Sequence, residues 1–225
     1  MVRLRDDRPS AIFPLVNFGL IGICFAVFIW QLTLNPLVRE QTVYALGTIP
    51  ATLIGSRHLP AEIAMIPSFL TPLTSMFLHK GWVHLLGNLF YLWVFGDNVE
   101  DSMGHVRYLL FYLLAGIVAV IVQAYPEPYS TEPMIGASGA ISGVLGAYML
   151  LFPRANVLAL IPLGRLTQLI RVPAVLVLSL WFILQLLLSI MDADPATGFR
   201  AHIGGFIAGV ILVPFFRRRG VPLWQ

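Results

Sequence analysis

Charge is scarce in this chain: 14 Lys and Arg and 11 Asp and Glu, or 11% of 225 residues, against about 25% in ordinary globular proteins. Cysteine is scarcer still, and the single Cys24 excludes an internal disulfide or a multi-cysteine metal site. With hydrophobic residues at 58% and a mean hydropathy of +0.82, too little polar surface exists to cover a water-soluble particle. Disorder, collagen-like repetition and a basic nucleic-acid-binding domain are excluded by the same numbers, so no nucleic-acid partner is expected. What remains is an all-α polytopic membrane protein.

A bilayer core of about 30 Å needs around 20 apolar residues of helix. Six charge-free runs meet or approach that length: residues 11–34, 81–96, 108–125, 133–153, 172–191 and 201–216. Residues 63–78 are also apolar, but Pro67 and Pro72 would break a spanning helix. They read as part of a long first loop dipping into the membrane surface. The run 155–164 is too short to span and reads as interfacial. Cys24, within the first span, reads as inert packing, and His58 and His105 as solvated loop residues.

Six spans put both termini on one side. That side carries Arg3, Arg5, Arg8, Arg107, Arg154, Arg165, Arg171, Arg217, Arg218 and Arg219, and the other Arg39, Arg57, Lys80 and Arg200. The positive-inside rule therefore places both termini in the cytoplasm and the first loop outside. The expected organisation is a cytoplasmic segment 1–10, a six-helix membrane domain 11–216 and a basic cytoplasmic tail 217–225.

Three spans carry polar groups that a bilayer penalises unless they face protein or a wet cavity. The second has His84 and Asn88, one turn apart on one face. The fourth has Ser138 within Gly136-Ala137-Ser138-Gly139, and the sixth has His202 within Ala201-His202-Ile203-Gly204-Gly205. All three spans run inward from the outer side. The two histidines and the serine then lie within roughly 10 Å of one boundary at a rise of about 1.5 Å per residue. Small residues allow close approach: Gly136, Gly139 and Gly143 around the serine, and Ala201, Gly205 and Gly209 at intervals of four in the sixth span.

A serine hydroxyl becomes a useful nucleophile when a neighbouring imidazole takes its proton, and the resulting oxyanion needs donors. Ser138 with His202 as dyad, and His84, Asn88 and the Ser138 backbone N–H as oxyanion donors, satisfy both needs. No carboxylate lies at matching depth: Asp97 and Glu100 are at the inner end of span two, and Asp192 and Asp194 precede span six. A small proton-coupled transporter using His84, Asn88 and His202 is the competing reading. Against it stand the clustering of the polar groups at one end and the lack of an internal repeat.

The motifs His84-Leu85-Leu86-Gly87-Asn88, Gly136-Ala137-Ser138-Gly139, and Gly198 with Ala201-His202, Gly205 and Gly209 resemble those of rhomboids, the family of intramembrane serine proteases. His79 also matches a family position, and the similarity runs from about Ser75 to Arg217. The resemblance implies a six-helix bundle whose water-filled cavity opens to the outside. It further implies cleavage of transmembrane protein substrates near their outer ends within the lipid bilayer, without metal or cofactor. It casts Ser138 as nucleophile, His202 as general base and His84 with Asn88 as oxyanion stabilisers. Gly96, Glu100, Gly104 and Arg107 resemble a structural pattern after span two.

Two features depart from the family. The Trp-Arg pair of many first loops is missing, and Ser142 stands where some members place an aromatic residue under the catalytic imidazole. A non-proteolytic helix-binding relative would lack the serine or the histidine, and this chain keeps both. With no organelle-targeting extension and little chain beyond the six spans, a prokaryotic plasma membrane is the expected location.

Overall fold

A computed structural model describes residues 11–55, 57–163, 166–191 and 198–225. The segment 1–10, Arg165, Asp192 and Asp194 lie outside the described residues. The chain is predominantly helical. Helix α1 (Leu15–Thr33) is followed by α2 (Pro36–Leu46) and then by the short α3 (Pro50–Leu53) and α4 (Thr71–Thr74). The long helices α5 (Trp82–Met103), α6 (His105–Ala124) and α7 (Ser138–Leu151) come next. After a hairpin of β1 (Asn156–Leu163) and β2 (Leu166–Pro173) come α8 (Ala174–Ile190) and α9 (Phe199–Phe216). Three of these helices, α1, α6 and α9, are both long and apolar enough to cross a membrane, and α7 and α8 are shorter apolar helices. Helix α5 has the length, but Asp97, Glu100 and Asp101 occupy its last two turns.

Helix α7 is the axis of the bundle. Every residue from Gly139 to Tyr148 is buried, and α7 packs most extensively on α9, with α6, α5 and α8 completing its surround. A helix enclosed on all sides needs no lipid-facing length, which accounts for its 14 residues. Its partner α9 approaches until backbones touch. A methyl group at Gly205 would overlap the Gly139 carbonyl oxygen, and one at Gly209 would overlap that of Gly143.

Helix α1 buries a single stripe of Asn17, Leu20, Cys24, Phe28 and Gln31. Its first turn is capped from another helix: the fully buried Glu100 carboxylate accepts from the N–H groups of Val16 at 3.0 Å and Asn17 at 2.7 Å. Carboxylate oxygens suit the positive end of a helix. Asn17 in turn donates to Leu92 O and accepts from the Tyr108 hydroxyl. The structural reading of Glu100 thus acquires a cause. His105 is exposed, as expected, but it opens α6 rather than lying in a loop, with Nδ1 2.5 Å from Glu100 Oε1.

The hairpin corrects the purely helical expectation. Within the run 155–164, too short to span, Asn156–Leu163 forms a strand that pairs antiparallel with Leu166–Pro173, which takes in the run-up to the fifth span. Pro162 and Pro173 disfavour helix here, while Val157, Ile161, Thr167, Ile170 and Val172 favour strand. Residues 63–78 are broken, as the two prolines require, into Ser68–Leu70, Thr71–Thr74 and Ser75–Phe77. The C-terminal residues fold back beneath the bundle. The N–H groups of Trp224 and Gln225 donate to the Leu150 and Leu151 carbonyls, satisfying the open end of α7.

Candidate active site

Ser138 was expected six residues into its span, and the structure instead makes it the first residue of α7. Pro133 keeps the preceding chain extended, where Met134 pairs with Thr48 of the first loop and Gly136 N–H donates to Ser75 O at 2.9 Å. Gly136 then turns the chain at φ +127°, and a side chain there would strike the His84 ring, 2.6 Å from Cε1. The late helix start has a chemical consequence. The first N–H groups of α7 lack partners within the helix and carry its positive end, and Ser138 sits at that end.

His202 lies in the first turn of α9, whose N-cap Gly198 adopts φ +72°. Gln123 steadies that turn by accepting from Ala201 N–H at 3.0 Å. The imidazole Nε2 lies 2.9 Å from Ser138 Oγ. Gly139, Gly143, Gly205 and Gly209 make this possible, because the two helices could not otherwise approach so closely. On the other side of the ring, Nδ1 lies 2.7 Å from Gln185 Oε1 of α8.

His84 and Asn88 face the same space from α5. His84 Nδ1 is 3.5 Å from Lys80 N–H, an orientation that leaves Nε2 to carry the proton. The buried amide nitrogen of Asn88 meets no acceptor among the described residues. A buried unpaired donor is costly unless something else uses it. Ser142 is buried, and its hydroxyl donates to the Ser138 carbonyl at 2.7 Å.

Two hollows meet at the serine. One of about 640 Å³ lies between α5 and α8 and is lined by His84, Asn88, Trp181, Gln185 and His202. The other, about 290 Å³, lies beneath the first loop against Met76, Gly116, Ala119 and Gln123. Ser138 lines both. Among the described residues, no three His, Cys, Asp or Glu side chains converge as metal ligands would. The polar groups named from the sequence are therefore brought together, in an arrangement that can activate a hydroxyl and receive an oxyanion.

Gln185 was not foreseen. It is a buried amide in a mainly apolar helix, and its cost in a bilayer was the available signal. His79, in the turn before α5, is buried with its ring 5.2 Å from that of His84. Its N–H donates to Gln31 Oε1. Burial, and then the neighbouring His84, push its imidazole down to about 4. The unfolded chain titrates near 6.5, so it binds the proton that the folded state refuses, and stability is lost as pH falls from about 6.5 toward 4. The thermal midpoint in detergent is expected to drop between pH 7 and pH 5, and to drop less in His79→Asn. Equal slopes for the two proteins would refute this origin.

Apolar helices of spanning length enclosing a polar, serine-containing cavity define an integral membrane protein. The chain belongs to the rhomboid family: the family model described as Rhomboid domain matches residues 67–219, spanning α4 to the end of α9. It is similar to the rhomboid protease GluP of Bacillus subtilis (strain 168), with 47% identity over 77 residues, 34% of this chain and 15% of that protein. RHOMBOID-like protein 6, mitochondrial, of Arabidopsis thaliana is 32% identical over 138 residues, 60% of this chain and 43% of the relative. The putative rhomboid protease YdcA of Bacillus subtilis (strain 168) is 38% identical over 81 residues, 34% of this chain and 38% of the relative. The chain thus spans less than half the length of each. These bacterial and mitochondrial relatives do not select a prokaryotic membrane over an organellar one.

Proposed function

We propose that this protein is an intramembrane serine endopeptidase that hydrolyses a peptide bond near the outer end of transmembrane segments. The observation that carries the reading is the 2.9 Å separation of Ser138 Oγ from His202 Nε2, in a cavity that also holds the unpaired Asn88 amide. Ser138 Oγ attacks the scissile carbonyl carbon while its proton passes to His202 Nε2. The oxyanion is received by the Ser138 backbone N–H, Asn88 Nδ2 and His84 Nε2. The C–N bond breaks as His202 returns the proton to the leaving amine. A water molecule, deprotonated by the same imidazole, then hydrolyses the acyl-serine. The reading needs no metal or cofactor.

In this reading α1, α5, α6, α7, α8 and α9 are the six spans of a membrane domain over residues 11–216. The arginine distribution puts both termini, including the basic tail 217–225, in the cytoplasm and the cavity toward the outside. Substrate helices must unwind before attack, so segments with Gly or Pro near the outer boundary are the favoured substrates. Purified protein in detergent is expected to react with a fluorophosphonate probe, with the modification found on Ser138 by peptide mass spectrometry and absent in Ser138→Ala. Equal labelling of Ser138→Ala would remove the serine from the chemistry.

A further inference from the structure

Among the described residues no carboxylate contacts the Ser138–His202 pair, and His202 Nδ1 instead meets Gln185 Oε1. Asp97 and Glu100 lie toward the opposite end of α5, Glu100 engaged with the start of α1. We propose that Gln185 is the positioning residue of the dyad, its amide oxygen holding the His202 imidazole in the Nδ1–H tautomer so that Nε2 presents its lone pair to the serine. This rests on the serine-hydrolase reading above and deepens it.

An amide oxygen only accepts, so at 2.7 Å from Nδ1 it requires the proton to be there. The opposite tautomer would aim an N–H at Ser138 Oγ, and the ring could not then take the serine proton. Membrane cost points the same way. Gln185 is 7% exposed on a mainly apolar helix, and a buried amide is destabilising unless it is hydrogen-bonded. The position four residues after the nucleophile offers no substitute, because Ser142 has its hydroxyl engaged with the Ser138 carbonyl. Trp181, one turn before Gln185, places its ring 6.1 Å from the imidazole. Helix α8 thus contributes both side chains that flank His202 from that side. Since α8 packs chiefly on α9 and less on α7, the base is correctly set only while α8 is docked.

The environment of His202 makes the contact separable from others. His84 and Tyr91 face the cavity from α5, with Lys80 just before that helix. Helix α7 offers the hydroxyls of Ser138 and Ser142, α8 the neutral Gln185 and Trp181, and α6 the neutral Gln123. Arg200, on the first turn of α9, is paired with Glu127 at 2.5 Å.

Two readouts test the proposal on the full chain in detergent. In nitrogen NMR of histidine-labelled protein, wild-type His202 is expected to show a protonated Nδ1 and a bare Nε2, and Gln185→Leu a mixture of tautomers. In kinetics, Gln185→Leu is expected to slow fluorophosphonate labelling and turnover about tenfold at unchanged KM, the size of one lost hydrogen bond. Gln185→Glu is expected to restore the rate with the acidic limb of its pH profile moved up by about one pH unit, because a carboxylate favours the protonated ring. A purely structural role would lower thermal stability without moving that limb. An unchanged tautomer in Gln185→Leu, or a Gln185→Glu profile that does not move, would overturn the proposal while leaving a labelled wild type as a serine hydrolase. A wild type that never labels would defeat the hydrolase reading instead, and the tautomer comparison would still decide the contact.

Discussion

Alanine at His202 is expected to lower cleavage of a transmembrane peptide by up to about six orders of magnitude in a protein that stays folded. The imidazole touches Ser138 and Gln185 through two hydrogen bonds, so its loss costs stability only about 1 kcal/mol for each. The chemistry loses far more, because the serine hydroxyl no longer has an acceptor for its proton. Ser138→Ala is expected to fall by a similar factor, and the double variant no further than either single one. Groups that act as a unit fail together, and the residual rate belongs to the oxyanion donors on α5 and at the start of α7. Initial rates in detergent, with circular dichroism to verify folding, would check this. Additive losses in the double variant would mean that the two side chains act independently.

The pairing of Ser138 with His202 was legible because each residue is anomalous where it stands. A histidine and a serine in apolar spans, flanked by glycines at intervals of four, have few reasons to exist other than each other. The long helices were legible from charge-free runs, although the charges at their ends misplace the boundaries. Helix α5 runs through the acidic turn at Asp97, Glu100 and Asp101, because Glu100 is used to cap α1. Helix α7 starts late, because Pro133 and Gly136 hold the chain extended. Gln185 escaped because its neighbours at helical spacing, Trp181 and Ser189, do not by themselves mark a polar face. Its partner lies 17 residues away, a distance that only the packed bundle closes. The hairpin escaped for a related reason: strand pairing is long-range, and an apolar run of eight residues looks the same on a membrane surface.

Gly209→Ala, the addition of one methyl group, is expected to lower the thermal midpoint in detergent by about 10 °C, the effect of roughly 3 kcal/mol of overpacking in a chain of this size. The added carbon would overlap the Gly143 carbonyl oxygen and lie 2.7 Å from the carbonyl carbon. Neither is the end of a side chain that can turn aside, so α7 and α9 must separate. The same substitution at Gly22, where nothing lies within 4 Å, is expected to be neutral or slightly stabilising, since alanine is the better helix former. Gly205→Ala carries the contrast into function. Gly205 lies one turn beyond His202 on α9 and abuts the Gly139 carbonyl, next to the serine. Displacing the backbones there lengthens the 2.9 Å contact between Ser138 and His202. Activity is therefore expected to fall at least tenfold at temperatures well below the melting transition. Full activity in Gly205→Ala would mean that the dyad does not depend on the close crossing of these helices. Loss of activity with the fold intact would mean that the glycines hold a hydroxyl and an imidazole at reacting distance where neither helix has a carboxylate to do so.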